Sequence, residues 1–148
     1  MDNRTQYVVG FLFDIYDHVS LIQKNSPAWQ KGKYNGIGGH IEAGETPKEA
    51  MKREFFEEAG LLLDWEQYCT VYYTDAVIHF FRAFGTRNLE TKTDEKVFWQ
   101  PLNELGDNVI PNLHWLIPLA LYTDTDMQQV VWTCRETSKE LQSHFKSK

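Results

Sequence analysis

Short apolar runs broken by polar turns set the pattern of this chain. Residues 7–13, Tyr-Val-Val-Gly-Phe-Leu-Phe, are rich in β-formers and predict a buried strand. Residues 19–25 partly alternate and predict its hairpin partner. Pro27, Gly32, Asn35-Gly36 and Gly38-Gly39 punctuate 26–39, so a loop is expected there. Residues 46–59 follow the helical repeat. Two strands are predicted at 67–75 and 76–85, a polar loop at 87–95, and a strand at 96–102 stopped by Pro101. Residues 112–122 read as a helix that tolerates Pro118 only in its first turn. A last strand is expected at 127–136, and the polar tail from 136 to 148 is expected to be loosely held. Nothing repeats and nothing reads as a linker, so a single domain over 1–148 is expected. The order is that of an α+β chain, a mixed sheet with a few helices.

The helix from 46 to 59 carries the first candidate chemistry. Thr46 suits the N-cap, Pro47 the first helical position, Glu49 closes a capping box, and Gly60 suits the residue past the C-terminus. Glu54, Glu57 and Glu58 are spaced i, i+3 and i+4 and share one narrow face. Lys48 and Lys52 point away from it, Arg53 lies to one side of Glu57, and Ala50 and Met51 fall on the same broad face as the acids. Like charges a turn apart repel, so the face needs either solvent or a cation. Two readings follow: an exposed acidic surface, or carboxylates for a hard divalent ion such as Mg²⁺. The glycines just upstream permit close approach, so a backbone carbonyl there could add a ligand and N–H groups could meet phosphate.

Composition narrows the function classes. The chain has 148 residues, a net charge of −6 and 14% aromatic residues. The acidic balance argues against a nucleic-acid polymer as partner. Phosphate remains open to an acidic protein if a metal supplies the positive charge. Cys69 and Cys134 lack metal-type spacing and read as two free buried thiols of a reducing compartment. The apolar run near the N-terminus is too short for a membrane span and lacks signal-peptide features, so a cytoplasmic location without a membrane partner is expected.

Gly39, Glu45 and the run Arg53-Glu54-Phe55-Phe56-Glu57-Glu58-Ala59-Gly60-Leu61 fill every fixed position of a 23-residue pattern. The chain thereby resembles the Nudix hydrolase family. The resemblance implies an α/β/α sandwich and Mg²⁺- or Mn²⁺-dependent hydrolysis of a nucleoside diphosphate linked to another group. It implies that Glu54, Glu57 and Glu58 bind metal, that Arg53 orients them, and that Glu45 buttresses the loop–helix turn or reaches a metal through water. It implies a backbone ligand from Gly39 or Gly38, and an acid from outside the pattern, Glu95 or else Asp94. For the general base it implies Glu58 first and Glu95 second.

The stretch 33–45 is similar to that of the branch acting on oxidised purine nucleoside triphosphates, where Asn35 would meet the base edge and His40 phosphate. That branch's Trp-Pro-Asp-Asp is replaced here by Ile110-Pro111-Asn112-Leu113, which weakens the likeness at the base. Asn35-Gly36 also reads as a simple turn, and Trp115 as a core residue. The base is expected between Phe11 or Phe13, Asn35 and the segment from Asn112 to Trp115. The expected substrate is thus a nucleoside triphosphate, normal or oxidised, split to the monophosphate and pyrophosphate by a monomer or homodimer. Alternatives are ADP-ribose, a dinucleoside polyphosphate, or a nucleotide sensor that keeps the pattern. The ADP-ribose branch's proline is missing near Ala76, and Tyr72 and Tyr73 come too early for the dinucleoside pattern.

Overall fold

The computed structural model describes residues 2–85, 88–122 and 129–145. Eight strands and three α-helices follow in chain order: β1 (Thr5–Phe13), β2 (His18–Gln23), β3 (Tyr34–Asn35), β4 (Ile37–His40), α1 (Pro47–Ala59), β5 (Glu66–Tyr72), β6 (Ala76–Phe84), β7 (Val97–Pro101), α2 (Leu113–Leu121), β8 (Val130–Thr133) and α3 (Ser138–Ser143). The sheet runs β3-β2-β1-β6-β5-β8, with β4 added to β1 and β7 to β2. It is mixed: β1–β6 and β5–β8 are parallel and the other pairs antiparallel.

One edge of β1 pairs with β6 along its whole length. The other edge is divided, with Tyr7–Gly10 paired to β4 and only Phe13 in register with β2. Between them the buried Ser20 hydroxyl accepts from the Leu12 N–H at 3.0 Å, standing in for a missing ladder bond. This division lets β4 lie beside β1, beneath α1.

Alternation along β1 sorts the core into two layers. Val8 and Leu12 pack with Ala50, Met51, Phe55 and Ala59 of α1. Phe11 and Phe13 face the other way, against Leu113, Leu116, Ile117 and Ala120 of α2. The result is an α/β/α sandwich. α1 starts with the expected capping box and ends at Gly60 in the left-handed region, φ 76°. Cys69 and Cys134 are free and buried. Burial raises the Cys69 thiol to about 11.

Three expectations need correction. The stretch 26–39 is more than loop, because its glycines let β4 lie against β1 and its Tyr34-Asn35 pairs with β2. Pro118 sits inside α2 rather than in its first turn; it is exposed, so the His114 carbonyl that loses its helical donor is on the open side of the helix. The tail is not loose over 138–143: a Thr137–Glu140 capping box starts α3, and Gln142 is buried against the body. Of the last expected strand, 127–128 lie outside the described residues, as do 146–148 of the tail.

Candidate active site

α1 packs on β1 and β4, so its acidic face borders the glycine strand. A Cβ on Gly39 would fall 2.5 Å from the Glu54 carboxylate, and a Cβ on Gly38 would collide with the main chain of Val8. Neither glycine has positive φ, so both are required for close approach rather than for unusual backbone angles.

Arg53 is the hub. Its Nε donates to Glu45 Oε2 at 2.7 Å and its Nη2 to Glu45 Oε1 at 3.0 Å, a bidentate pair. Nη1 donates to Glu54 Oε1 at 2.9 Å, and Nη2 also reaches the His40 carbonyl at 3.0 Å. Its contacts to Glu57 are longer, at 3.4 and 3.5 Å. One guanidinium thus ties β4, the turn before α1 and the helix together. Hydrogen bonds to Glu45 hold the Arg53 charge in place and, reciprocally, hold the Glu45 carboxyl below its ordinary range. Burial pushes the Glu54 carboxyl up, against the pull of Arg53.

The remaining carboxylates are placed differently. Glu57 is exposed. Glu58 accepts from the Thr93 hydroxyl at 2.6 Å, and the Lys92 N–H bonds the Glu58 carbonyl, so the loop before β7 docks on the end of α1. Glu95, two residues beyond Thr93, is tied to Lys24 Nζ at 3.3 Å and to the Asn25 N–H at 2.6 Å. The structure therefore gathers Gly39, Arg53, Glu45 and Glu54 closely, sets Glu57 and Glu58 along the same helix, and engages Glu95 with Lys24 and Asn25, just past the end of β2.

Among the described residues, no three His, Cys, Asp or Glu side chains converge into a ready-made metal shell. The donor set nevertheless fits a hard divalent ion, being carboxylates on one rigid helix beside a backbone strand. Such an ion takes oxygen ligands and keeps waters, so substrate phosphates can complete its shell.

The residues expected at the base fare less evenly. Phe11 and Phe13 are 0% and 2% exposed and belong to the core under α2, so they offer no free ring face. Asn112 is 4% exposed, and its Nδ2 donates to the Tyr73 hydroxyl at 3.3 Å. Its main-chain N–H donates to Gln142 Oε1 at 3.0 Å, so α3 covers it. Asn35 is half-buried, with Nδ2 on Gln30 Oε1 at 3.2 Å and Oδ1 on the Gly36 N–H at 2.7 Å. His40 is exposed, with its ring 4.5 Å from that of Tyr7. Trp115 is half-buried, 5.4 Å edge-on to Trp132, and lines a cavity of about 740 Å³.

The sequence reading missed Thr93, and it missed the far wall of that cavity. A hydroxyl in a polar loop carries no local signal that it meets a glutamate 35 positions earlier.

Comparison with known proteins settles the family. The NUDIX domain family matches residues 3–119. The chain belongs to that family. The NUDIX domain of Shewanella oneidensis NrtR, solved in complex with ADP ribose, superposes with a TM-score of 0.70 at 21% identity, over 81% of this chain and 88% of that one. A MutT protein from Bacillus halodurans gives 0.66 at 22% identity over 90% of both chains. These likenesses show the Nudix fold. Among curated proteins, the oxidized purine nucleoside triphosphate hydrolase of Danio rerio is 52% identical over 33 residues, which is 22% of this chain and 21% of that protein. Its Mus musculus counterpart is 48% identical over a stretch of the same length. The alignment thus spans about a fifth of the curated relatives' length. No helix among the described residues is long and apolar enough to cross a membrane.

Proposed function

We propose that this Nudix protein hydrolyses a nucleoside triphosphate, normal or oxidised at a purine base, to the monophosphate and pyrophosphate in the presence of Mg²⁺ or Mn²⁺. The observation that carries the reading is the Arg53 hub, which fixes Glu45, Glu54 and the end of β4 into one rigid corner beside Glu57 and Glu58. The short identity to oxidized purine nucleoside triphosphate hydrolases favours this substrate class.

Glu54, Glu57 and Glu58, with the backbone at Gly39, would hold the divalent ion; Glu95 would join them only on leaving Lys24 and Asn25. The bound ion would neutralise phosphate oxygens and lower the pKa of the attacking water. Arg53 keeps Glu54 aimed along the helix face, since its other donors are committed to Glu45 and the His40 carbonyl. Glu58 would take the proton of the attacking water, with its second oxygen steadied by the Thr93 hydroxyl. Water adds to the α- or β-phosphorus, the P–O bond bridging the two breaks, and the monophosphate and pyrophosphate separate, one of them carrying the water's oxygen.

A second reading, hydrolysis of ADP-ribose, is favoured by the ADP ribose complex of the Shewanella NUDIX domain. Phosphate release from a panel of nucleoside triphosphates, oxidised purine triphosphates and ADP-ribose, with coupled pyrophosphatase or phosphatase and with Mg²⁺ or EDTA, separates the readings. The proposal expects Mg²⁺-dependent pyrophosphate release from a triphosphate. Turnover of ADP-ribose alone sinks it, and nucleotide binding without turnover of any compound would mark a sensor.

A further inference from the structure

Lys48 and Lys52 stand one turn apart on the side of α1 that faces away from Glu54, Glu57 and Glu58. A cavity of about 380 Å³ opens there, between α1 and the segment 62–65 that leads into β5. Its volume falls within the roughly 300–1,000 Å³ of ligand pockets. Lys48, Lys52, Leu62, Leu63, Asp64 and Trp65 line it. Leu62 leaves 63% of its surface open, so the rim beside the two ammonium groups is apolar.

Three donors converge on this cavity, and each lacks a firm acceptor. Like charges at i and i+4 repel, and an anion between the two lysines removes the repulsion. Lys48 Nζ pairs with Asp64 at 3.2 Å, but the two side chains are 62% and 95% exposed, so solvent screens the pair. Lys52 is in no ion pair among the described residues, and it is exposed. Trp65 is 2% exposed, and its Nε1 has no hydrogen-bond partner among the described residues. A Cβ on Gly10 would fall 2.9 Å from Trp65 Cζ3, so the benzo edge of the indole faces β1. The Nε1 edge lies across the ring from Cζ3 and is turned away from that strand, to the side of the cavity. A buried N–H left unpaired is costly, and an acceptor reaching it removes the cost.

We propose that this cavity binds a phosphate monoester carrying an apolar group, with the phosphate held between Lys48 and Lys52 and accepting from Trp65 Nε1, and the apolar group against Leu62 and Leu63. Two ammonium groups and one indole N–H, none of which can accept, match the three terminal oxygens of a phosphate and its charge near −2. The phosphate takes Lys48 from Asp64, so Asp64 competes with the ligand. The site lies across the helix from the carboxylate corner and is independent of the hydrolytic reading.

The test is a titration of the full chain with hexyl phosphate, inorganic phosphate and hexanoate, in EDTA so that no metal bridges a phosphate to the carboxylates. It is followed by ¹H–¹⁵N NMR at the Trp65 indole N–H. That resonance is identified by its absence in Trp65→Phe and, should this variant not fold, by its contacts to the Phe55 ring, 4.9 Å away between centroids. Hexyl phosphate should move the resonance downfield and saturably. Lys52→Gln keeps a good helix former at an exposed position and should weaken binding about fivefold or more. Asp64→Asn should tighten it, because the competitor for Lys48 is gone. Inorganic phosphate and hexanoate should each bind about fivefold or more weaker than hexyl phosphate. An indole resonance unmoved by about 10 mM hexyl phosphate, or equal affinity in wild type and Lys52→Gln, overturns the site. Equal affinity for inorganic phosphate or for hexanoate overturns the proposed ligand class.

Discussion

The two ends of the sandwich are built in opposite ways. At α1, the candidate chemistry comes from one stretch of chain: Arg53 ties Glu45 and Glu54 together beside Gly39, and the helix repeat sets Glu57 and Glu58 along the same helix. At α2 and α3, the cavity wall comes from Trp29, Lys33, Trp115, Lys139 and Gln142, which only the tertiary fold brings together. The first end is rigid because its parts are covalent near-neighbours cross-tied by charge-assisted bonds. The second depends on a short helix held by its own cap and by the Gln142–Asn112 contact. The candidate carboxylate corner and the cavity thus sit on parts of the molecule that can be altered separately.

The largest effect should come from the carboxylates. Glu58→Gln should lower kcat/KM by about 10²–10⁴-fold, and Glu57→Gln should also act on rate, both with circular dichroism unchanged because Gln is as good a helix former as Glu. Wild-type rates in both variants would remove α1 from the chemistry and erase the contrast between the two ends. The adjacent glycines sharpen it further. Gly38→Ala drives a methyl into the Val8 main chain and should cost the fold, seen as loss of the β1–β4 pairing in hydrogen exchange. Gly39→Ala presses first on the Glu54 carboxylate, a side chain, and should lower Mn²⁺ affinity, on the order of 10- to 100-fold, with a smaller loss of Tm than Gly38→Ala. If both variants lose stability equally, Gly39 is structural.

Smaller effects probe the supports. Thr137→Ala removes the α3 cap and should cost about 1 kcal/mol of stability in urea unfolding, with Mg²⁺-dependent turnover of a good substrate retained. A collapse of turnover would show that the two ends do not act separately. The pH response should be smallest. The Glu45 carboxyl is depressed below its ordinary 4.5 by Arg53, so its stabilising contribution is fully present above that pH. It fades as pH falls through the depressed folded value, where the native state must finally take up the proton. Glu45→Gln should remove that component from the acid limb of stability measured by urea unfolding at stepped pH.

Legibility in the sequence followed the same division. The α1 end could be read because helical spacing, caps and the glycine–glutamate pattern are local signals. The glycines of 36–39 mark turns and so predict loop, yet here they let one strand, β4, lie beneath a helix. Phe11 and Phe13 could not be assigned a layer until β1 alternation was set against α2. The tail looked loose because its composition is polar; the Thr137–Glu140 cap and one buried glutamine suffice to seat it. Thr93 and Gln142 act through partners 35 and 30 positions away, and nothing local marks either.

The central claim is that the acidic face of α1 beside Gly39 is the reaction centre. The most direct measurement is a Mn²⁺ titration, followed by electron paramagnetic resonance, of wild type and of the Glu57→Gln, Glu58→Gln double variant with a non-hydrolysable nucleoside triphosphate analogue present. The account predicts saturable Mn²⁺ binding to wild type that the double variant loses while its fold persists. Equal Mn²⁺ affinity in the two proteins would contradict it.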